Sequence, residues 1–190
     1  MNEKNIQESF LSSSNLISNS VNLSKQIEDA INLIVDCLKT NGKIILFGNG
    51  GSAADAQHIA AELIGKFNLE RESFPAIALT TDSSIITSLS NDYSYDIVFS
   101  RQCEGLVNQN DVVIGISTSG NSVNVKNGLI TSKKLGATTI GLLGNNGGSI
   151  KQVVDLSINV NSHETSKIQE VHRVIYHIIC DMVERQLSKK

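Results

Sequence analysis

Apolar residues fall along this chain in two alternating patterns. Short, nearly unbroken runs occupy "KIILFG" (43–48), "PAIALT" (75–80), "DVVIGIS" (111–117), "TTIGLLG" (138–144) and "LSINV" (156–160). Runs of that length, rich in β-branched residues, predict strands of a parallel sheet covered on both faces. Between them lie longer stretches with helical spacing, which predict helices starting near Ser52, Ser83, Tyr95, Ser122 and Gly148. Strand and helix alternate through the whole middle of the chain, so the expected fold class is a doubly wound α/β sandwich.

Two helical segments flank that core. Residues 5–40 keep apolar side chains at helical spacing from Leu16 through Val21 and Ile27 to Leu38. Residues 165–187 predict a last helix in which Val171, Val174, Ile175, Ile178 and Met182 form one stripe, with Gln169, Arg173 and His177 roughly opposite. Ile168 and Ile179 beside the stripe predict a second buried contact, and long terminal helices of this kind point to an oligomer bundle. His172 and Tyr176 read as a structural pair, and His163, in a loop, gets no role.

Composition narrows the classes. The 190 residues suit one domain, 1–190. Lys+Arg 16 against Asp+Glu 19 leaves a net charge of −3 with only short basic runs, at 133–134 and 189–190, which speaks against a nucleic-acid partner. The opening "MNEKNIQESF" lacks the basic and apolar regions of a signal peptide, and no apolar stretch is long enough for a bilayer, so a cytoplasmic protein without membrane partner is expected. Cys37, Cys103 and Cys180 are widely separated and show no CxxC spacing, which predicts neither a disulfide framework nor a thiolate zinc site.

The chemistry is expected in the loops that follow the strands, because open α/β sheets bind ligands outside the carboxyl ends of their strands. "GNGGSAADAQHIAAEL" places a glycine-rich turn, Asn49 to Gly51, ahead of a helix, where backbone N–H groups can approach an anion. "GISTSGNS" supplies four hydroxyls, Ser117, Thr118, Ser119 and Ser122, around Gly120 and ahead of another helix, a set of neutral donors suited to a phosphate monoester. "SNDYSY" puts Asn91 and Asp92 at a helix end, able to bond sugar hydroxyls. Two plainer readings stay open here. Gly48, Gly50 and Ala53 match a dinucleotide fingerprint, although the second strand ends late, in "ALTTD", and Glu70 lies in a loop. The hydroxyl cluster alone is also what a helix-capping turn would contain.

His58 and Glu62 are four residues apart on one face of a helix whose other positions are mostly apolar. Two ionisable groups in such surroundings call for pairing or ligation. Together, "GNGGSAADAQHIAAEL", "ND" at 91–92, "GISTSGNS" and "IQEVH…H" resemble the sugar isomerase (SIS) domain family over nearly the whole chain, and within it the branch that isomerises sedoheptulose 7-phosphate. The resemblance implies a flavodoxin-like five-stranded parallel sheet with added N- and C-terminal helices, and 1–40 as a helical oligomerisation segment. It also implies a homotetramer with active sites between subunits, acting on a sugar phosphate in heptose synthesis for lipopolysaccharide.

Carried over by position, it implies that Glu62 and His177 are the catalytic acid–base pair. Asn49, Gly50, Gly51, Glu62, Asn91, Asp92, Ser117, Thr118, Ser119, Ser122 and Gln169 would bind substrate, and His58, Glu62, Gln169 and His177 would hold one zinc ion per subunit. Lys66 and Lys167 stand where the family usually has arginine, which loses the bidentate fork at those positions. A relative on the same fold is an adaptor that binds the replication initiator. It lacks the carboxylate at the position of Glu62 and has asparagine in place of the last histidine, whereas this chain keeps both groups.

Overall fold

A computed structural model describes residues 2–188. Lys189 and Lys190, the basic run noted at the end, lie outside the described residues. The five predicted runs form five strands: β1 Ile44–Gly48, β2 Ala76–Ala78, β3 Val112–Ser117, β4 Thr138–Gly144 and β5 Leu156–Val160. All neighbouring pairs are parallel, in the order β2-β1-β3-β4-β5, with Ile44 level with both Ala76 and Val112. This is the flavodoxin-like order, and its topological switch point lies between β1 and β3.

Alternation along β1 divides the core. Ile44 and Leu46 face one apolar cluster with Ile34, Ile59, Ile175 and Tyr176, while Ile45 and Phe47 face a second with Phe99, Val125 and Leu129. Phe47 and Phe99 stack there with centroids 4.9 Å apart. The first layer comprises α2 (Ser24–Lys39), α3 (Gly51–Ile64) and α7 (Thr165–Leu187); the second comprises α5 (Val98–Leu106) and α6 (Val123–Lys134). A short α4 (Ser83–Asp92) follows β2. Cys37, Cys103 and Cys180 are free and buried, and burial pushes their thiols up to about 11, 11 and 12.

Three helical expectations change. Residues 5–40 are not one helix: α1 (Glu3–Asn19) ends in a 3₁₀ turn, Ser20–Leu23, before α2 begins. Leu23 is buried at that joint while Val21 is 71% exposed, so the apolar spacing is shared between two helices with different faces. The helix expected near Gly148 is a run of turns, because Asn145, Gly147 and Gly148 all take positive φ (56°, 86° and 52°), which an α-helix cannot contain. Near Tyr95 a 3₁₀ turn, Tyr95–Ile97, precedes α5.

On α7 the core stripe runs through Ile168, Val171, Ile175, Ile179 and Val183, so Ile178 and Met182 lie outward at 40% and 39% exposure. α1 contributes no buried residue among those described; Ile6, Phe10 and Leu11 all face out.

Candidate active site

The loops after β1 and β3 meet at the switch point. Asn49 is held by a reciprocal amide pair with the buried Asn124 in the first turn of α6: its Nδ2 donates to Asn124 Oδ1 (2.8 Å), and Asn124 Nδ2 donates back to Asn49 Oδ1 (2.9 Å). Tyr95 Oη donates to the same Asn49 oxygen at 2.9 Å. Gly51 opens α3 beneath the amide of Gln169, which occupies the space a side chain at position 51 would need. That contact ties α7 to the glycine turn, and a cleft lined by Gly51, Ala54, Asp55, Ser166, Gln169 and Arg173 runs between the two helices.

The hydroxyl loop is preformed. Ser117 Oγ, buried at the end of β3, lies 3.0 Å from Ser122 Oγ and 3.4 Å from Ser119 Oγ, and Ser119 Oγ accepts from Asn121 N at 3.1 Å. Ser122 is the N-cap residue of α6, yet its side chain makes no capping bond among the described residues. A plain capping turn does not account for it. Gly120 takes φ +68° with its Cα against the backbone of Gly147 and Gly148, so only glycine fits this contact between the two turns. The acidic residue after β2, Asp82, caps α4 by accepting from Ile85 N at 2.9 Å.

The ionisable cluster lies further along α3 and α7. His58 Nε2 is 2.9 Å from Glu62 Oε1, the two side chains being 37% and 23% exposed. The His177 ring sits edge-on to His58, centroids 5.2 Å apart. One ligand atom from each of His58, Glu62 and His177 falls within 4.8 Å of the others. Burial first, and the neighbouring His58 second, lower the pKa of His177, which favours a neutral imidazole. Two histidines and a carboxylate are a common catalytic metal set, with ligand bonds of about 2.0–2.2 Å and separations of roughly 3.4 Å in a tetrahedron. One pair, His58 Nε2 and Glu62 Oε1, is 2.9 Å apart and all three ligand atoms lie within 4.8 Å, so the donor set fits a metal ion. Gln169 lies two turns before His177, with its amide against Gly51.

Other predicted positions land elsewhere. Asn91 and Asp92 end α4, exposed, with Asn91 Nδ2 donating to Asp92 Oδ1 (2.9 Å). Lys66 is exposed and pairs with Glu70. Lys167 is buried, with its ammonium donating to Ser9 O at 3.1 Å and so docking α1 on α7. Tyr176 does not pair with His172: its hydroxyl reaches α3, while His172 Nε2 donates to Leu143 O on β4 at 3.0 Å. His163 sits exposed beside Asn145.

Several contributors escaped the sequence reading. Asp55, Tyr176 and Arg173 form a layer behind His58, with Arg173 3.5 Å from Asp55 Oδ1. Burial raises the Asp55 pKa against the opposing pull of Arg173, and burial followed by Asp55 pushes Tyr176 up to about 12. At the far end of α3, the carboxylate of Glu184, 1% exposed, accepts from the amides of Phe67 (2.8 Å), Asn68 (2.7 Å) and Leu69 (2.8 Å) and from Arg71 Nε (3.0 Å). Arg71 in turn donates to the carbonyls of Glu62 (2.9 Å) and Leu63 (3.0 Å). Burial opposes ionisation of Glu184, but these donors outweigh it and hold its pKa below the usual range. The position of Asp55, three residues before His58 on the same helix, is the one signal that could have found this layer.

Sheet order and site together define a doubly wound α/β protein with a cluster of ionisable side chains on the helices beside its switch point. The chain belongs to the SIS domain family, whose profile matches residues 10–144. A phosphoheptose isomerase from Geobacter sulfurreducens is 53% identical over 165 residues, 87% of each chain. The solved phosphoheptose isomerase from Neisseria gonorrhoeae is similar with a TM-score of 0.92 at 38% identity, covering 96% of this chain and 98% of that one. The one from Francisella tularensis gives 0.93 at 34% identity, covering 97% and 100%.

Proposed function

We propose that this chain catalyses the reaction of its phosphoheptose isomerase relatives: conversion of sedoheptulose 7-phosphate to D-glycero-D-manno-heptose 7-phosphate, the first step toward the ADP-heptose of lipopolysaccharide core. The observation that carries the reading is the convergence of Glu62, His58 and His177 from α3 and α7, in a chain 53% identical to such an isomerase. The initiator adaptor loses ground on the same observation, since Glu62 and His177 are both present and meet in space.

The reaction moves a proton between adjacent carbons through an enediol. Glu62 takes the proton from C1 of the ketose and returns it to C2, while a neutral His177 serves the two oxygens, giving a proton to one and receiving one from the other. The phosphate is held by Ser117, Thr118, Ser119 and Ser122 with the first amides of α6, where the helix N-terminus favours an anion. Asn49, Gly50 and Gly51 line the sugar, Gln169 binds beside them, and Asn91 and Asp92 contact its hydroxyls. His58, Glu62 and His177, with Gln169 as a further donor, would hold a metal, which we read as zinc; when bound it polarises the substrate carbonyl.

The working assembly is a homotetramer with active sites between subunits, built on a single domain in which 1–40 supplies much of the contact. Support comes from the outward Ile6, Phe10 and Leu11 of α1 and from Ile178 and Met182 of α7. We read the enzyme as cytoplasmic; no helix among the described residues is long and apolar enough to cross a membrane.

The deciding experiment incubates purified protein with sedoheptulose 7-phosphate, with and without chelator, and follows heptose 7-phosphate. Product that disappears with chelator and returns with zinc is expected. No product under any condition would overturn the function, and product untouched by chelator would remove the metal.

A further inference from the structure

Tyr176 and Asp55 stand outside the acid–base pair, yet both are buried, 1% and 3% exposed, and both lie behind His58. The Tyr176 hydroxyl lies 3.1 Å from His58 Nδ1 and 3.3 Å from Asp55 Oδ1. Arg173 reaches that same Asp55 oxygen at 3.5 Å, and Asp55 Oδ2 has no partner among the described residues. A tyrosine hydroxyl carries a single hydrogen, so it can serve only one of its two neighbours as donor. Were it given to His58, the buried carboxylate would be left with Arg173 alone, and an under-bonded buried carboxylate is costly. With the hydrogen on the Asp55 side, the tyrosine oxygen can only accept from His58, which therefore carries its proton on Nδ1.

The consequence appears on the other side of the ring. Nε2, 2.9 Å from Glu62 Oε1, then turns a lone pair toward a carboxylate oxygen. Two acceptors at that distance require a cation shared between them, either a proton or a metal ion. We infer that Asp55 and Tyr176 form a positioning relay that fixes His58 in the Nδ1–H tautomer, so that Nε2 is the atom offered to a metal. The inference rests on the reading that His58, Glu62 and His177 hold a metal, and extends it to two residues that touch neither metal nor substrate. Ligating histidines are commonly oriented by a hydrogen bond from their second nitrogen; here a tyrosine relays that bond to the carboxylate. Tyr176 and His177 are consecutive on α7, so one position orients a ligand of α3 and the next contributes a ligand of its own.

The test uses two variants in the full chain. Tyr176→Phe keeps the ring and its packing but removes the hydroxyl. Asp55→Leu keeps the tyrosine hydroxyl but removes its acceptor, which frees the tyrosine hydrogen for His58 and reverses the tautomer. Nitrogen-15 NMR of the metal-free proteins reads whether His58 Nδ1 carries a hydrogen, and competition against a chromophoric chelator reads zinc affinity. The wild type should show Nδ1–H, both variants should lose it, and zinc affinity should fall about 10–100-fold in each. A Tyr176→Phe protein that keeps both the Nδ1–H tautomer and wild-type zinc affinity would overturn the relay. Failure of the wild type to bind zinc would overturn the metal reading itself. The tautomer in metal-free protein, measured independently, would then still uphold or overturn the relay.

Discussion

The hydroxyl loop and the ionisable cluster are built on opposite principles. Ser117, Ser119 and Ser122 are uncharged, close to one another and set by backbone, with Gly120 locked against the neighbouring turn. His58, Glu62 and His177 are side chains on two helices, and they are held by other side chains: Tyr176 and Asp55 behind, Arg71 and Glu184 below. A loop that binds a fixed charge needs shape, which backbone supplies. A cluster that moves protons needs tuned ionisation, which depends on burial and neighbours. Damage to the first should therefore weaken binding, and damage to the second should slow turnover or loosen the fold.

The largest effect is expected on the chemistry. Glu62→Gln keeps size and shape but cannot accept a proton, and His177→Asn removes a titratable group. General acid–base groups contribute about 10²–10⁴-fold, so each variant should lose at least the lower figure in kcat with circular dichroism unchanged. Because both sit in one site, the double variant should lose far less than the product of the two. Single variants with near wild-type kcat would erase the proposed division of labour.

Next comes the scaffold under the cluster. Glu184→Ala strips the buried Arg71 charge of its carboxylate and leaves three amides without their acceptor, and breaking such a pair costs about 3–5 kcal/mol. Urea unfolding should show that loss in the midpoint. A loss below about 1 kcal/mol would mean that the network is incidental.

A comparable effect should follow from pH. His172, fully buried, is pushed down from 6.5 to about 4 by burial, against the smaller opposing effect of its bond to Leu143. Below pH 6.5 the unfolded chain takes up a proton that the fold refuses. Stability is therefore fully present above about pH 6.5 and declines toward pH 4, by about 3 kcal/mol over the window. Melting curves from pH 7 to pH 4 would show it, and His172→Gln should flatten that part of the profile.

The smallest effect is on the loop. Ser119→Ala or Ser122→Ala removes one neutral hydrogen bond, on the order of 0.5–1.5 kcal/mol, and should raise KM several-fold with kcat nearly unchanged. Unaltered kinetics in the double alanine variant would detach this loop from the phosphate.

Much of this was legible from pattern. Each strand lies within the run of apolar residues that announced it, and the last helix runs from Thr165 to Leu187 as its spacing predicts. The missing helix near Gly148 failed for a local reason: Ile150, Val153 and Val154 mimic helical spacing, but left-handed backbone at Gly147 and Gly148 comes first. Tyr176 was misread because four-residue spacing puts it on one helix face with His172 without saying which neighbour each one meets. One faces β4 and the other α3, and only the packing of three elements decides that. Asn124 and Arg71 were invisible for the same reason, since their partners lie in distant segments.

The three cysteines have a practical consequence. All are buried, and their thiols are held well above neutrality, so little reactive thiolate exists at pH 7. The natural chain is thus a nearly silent background for maleimide chemistry. A single cysteine placed on the outer face of α1, at Phe10 for instance, would carry a fluorophore or spin label alone, and would report on distances between copies without first stripping the native thiols.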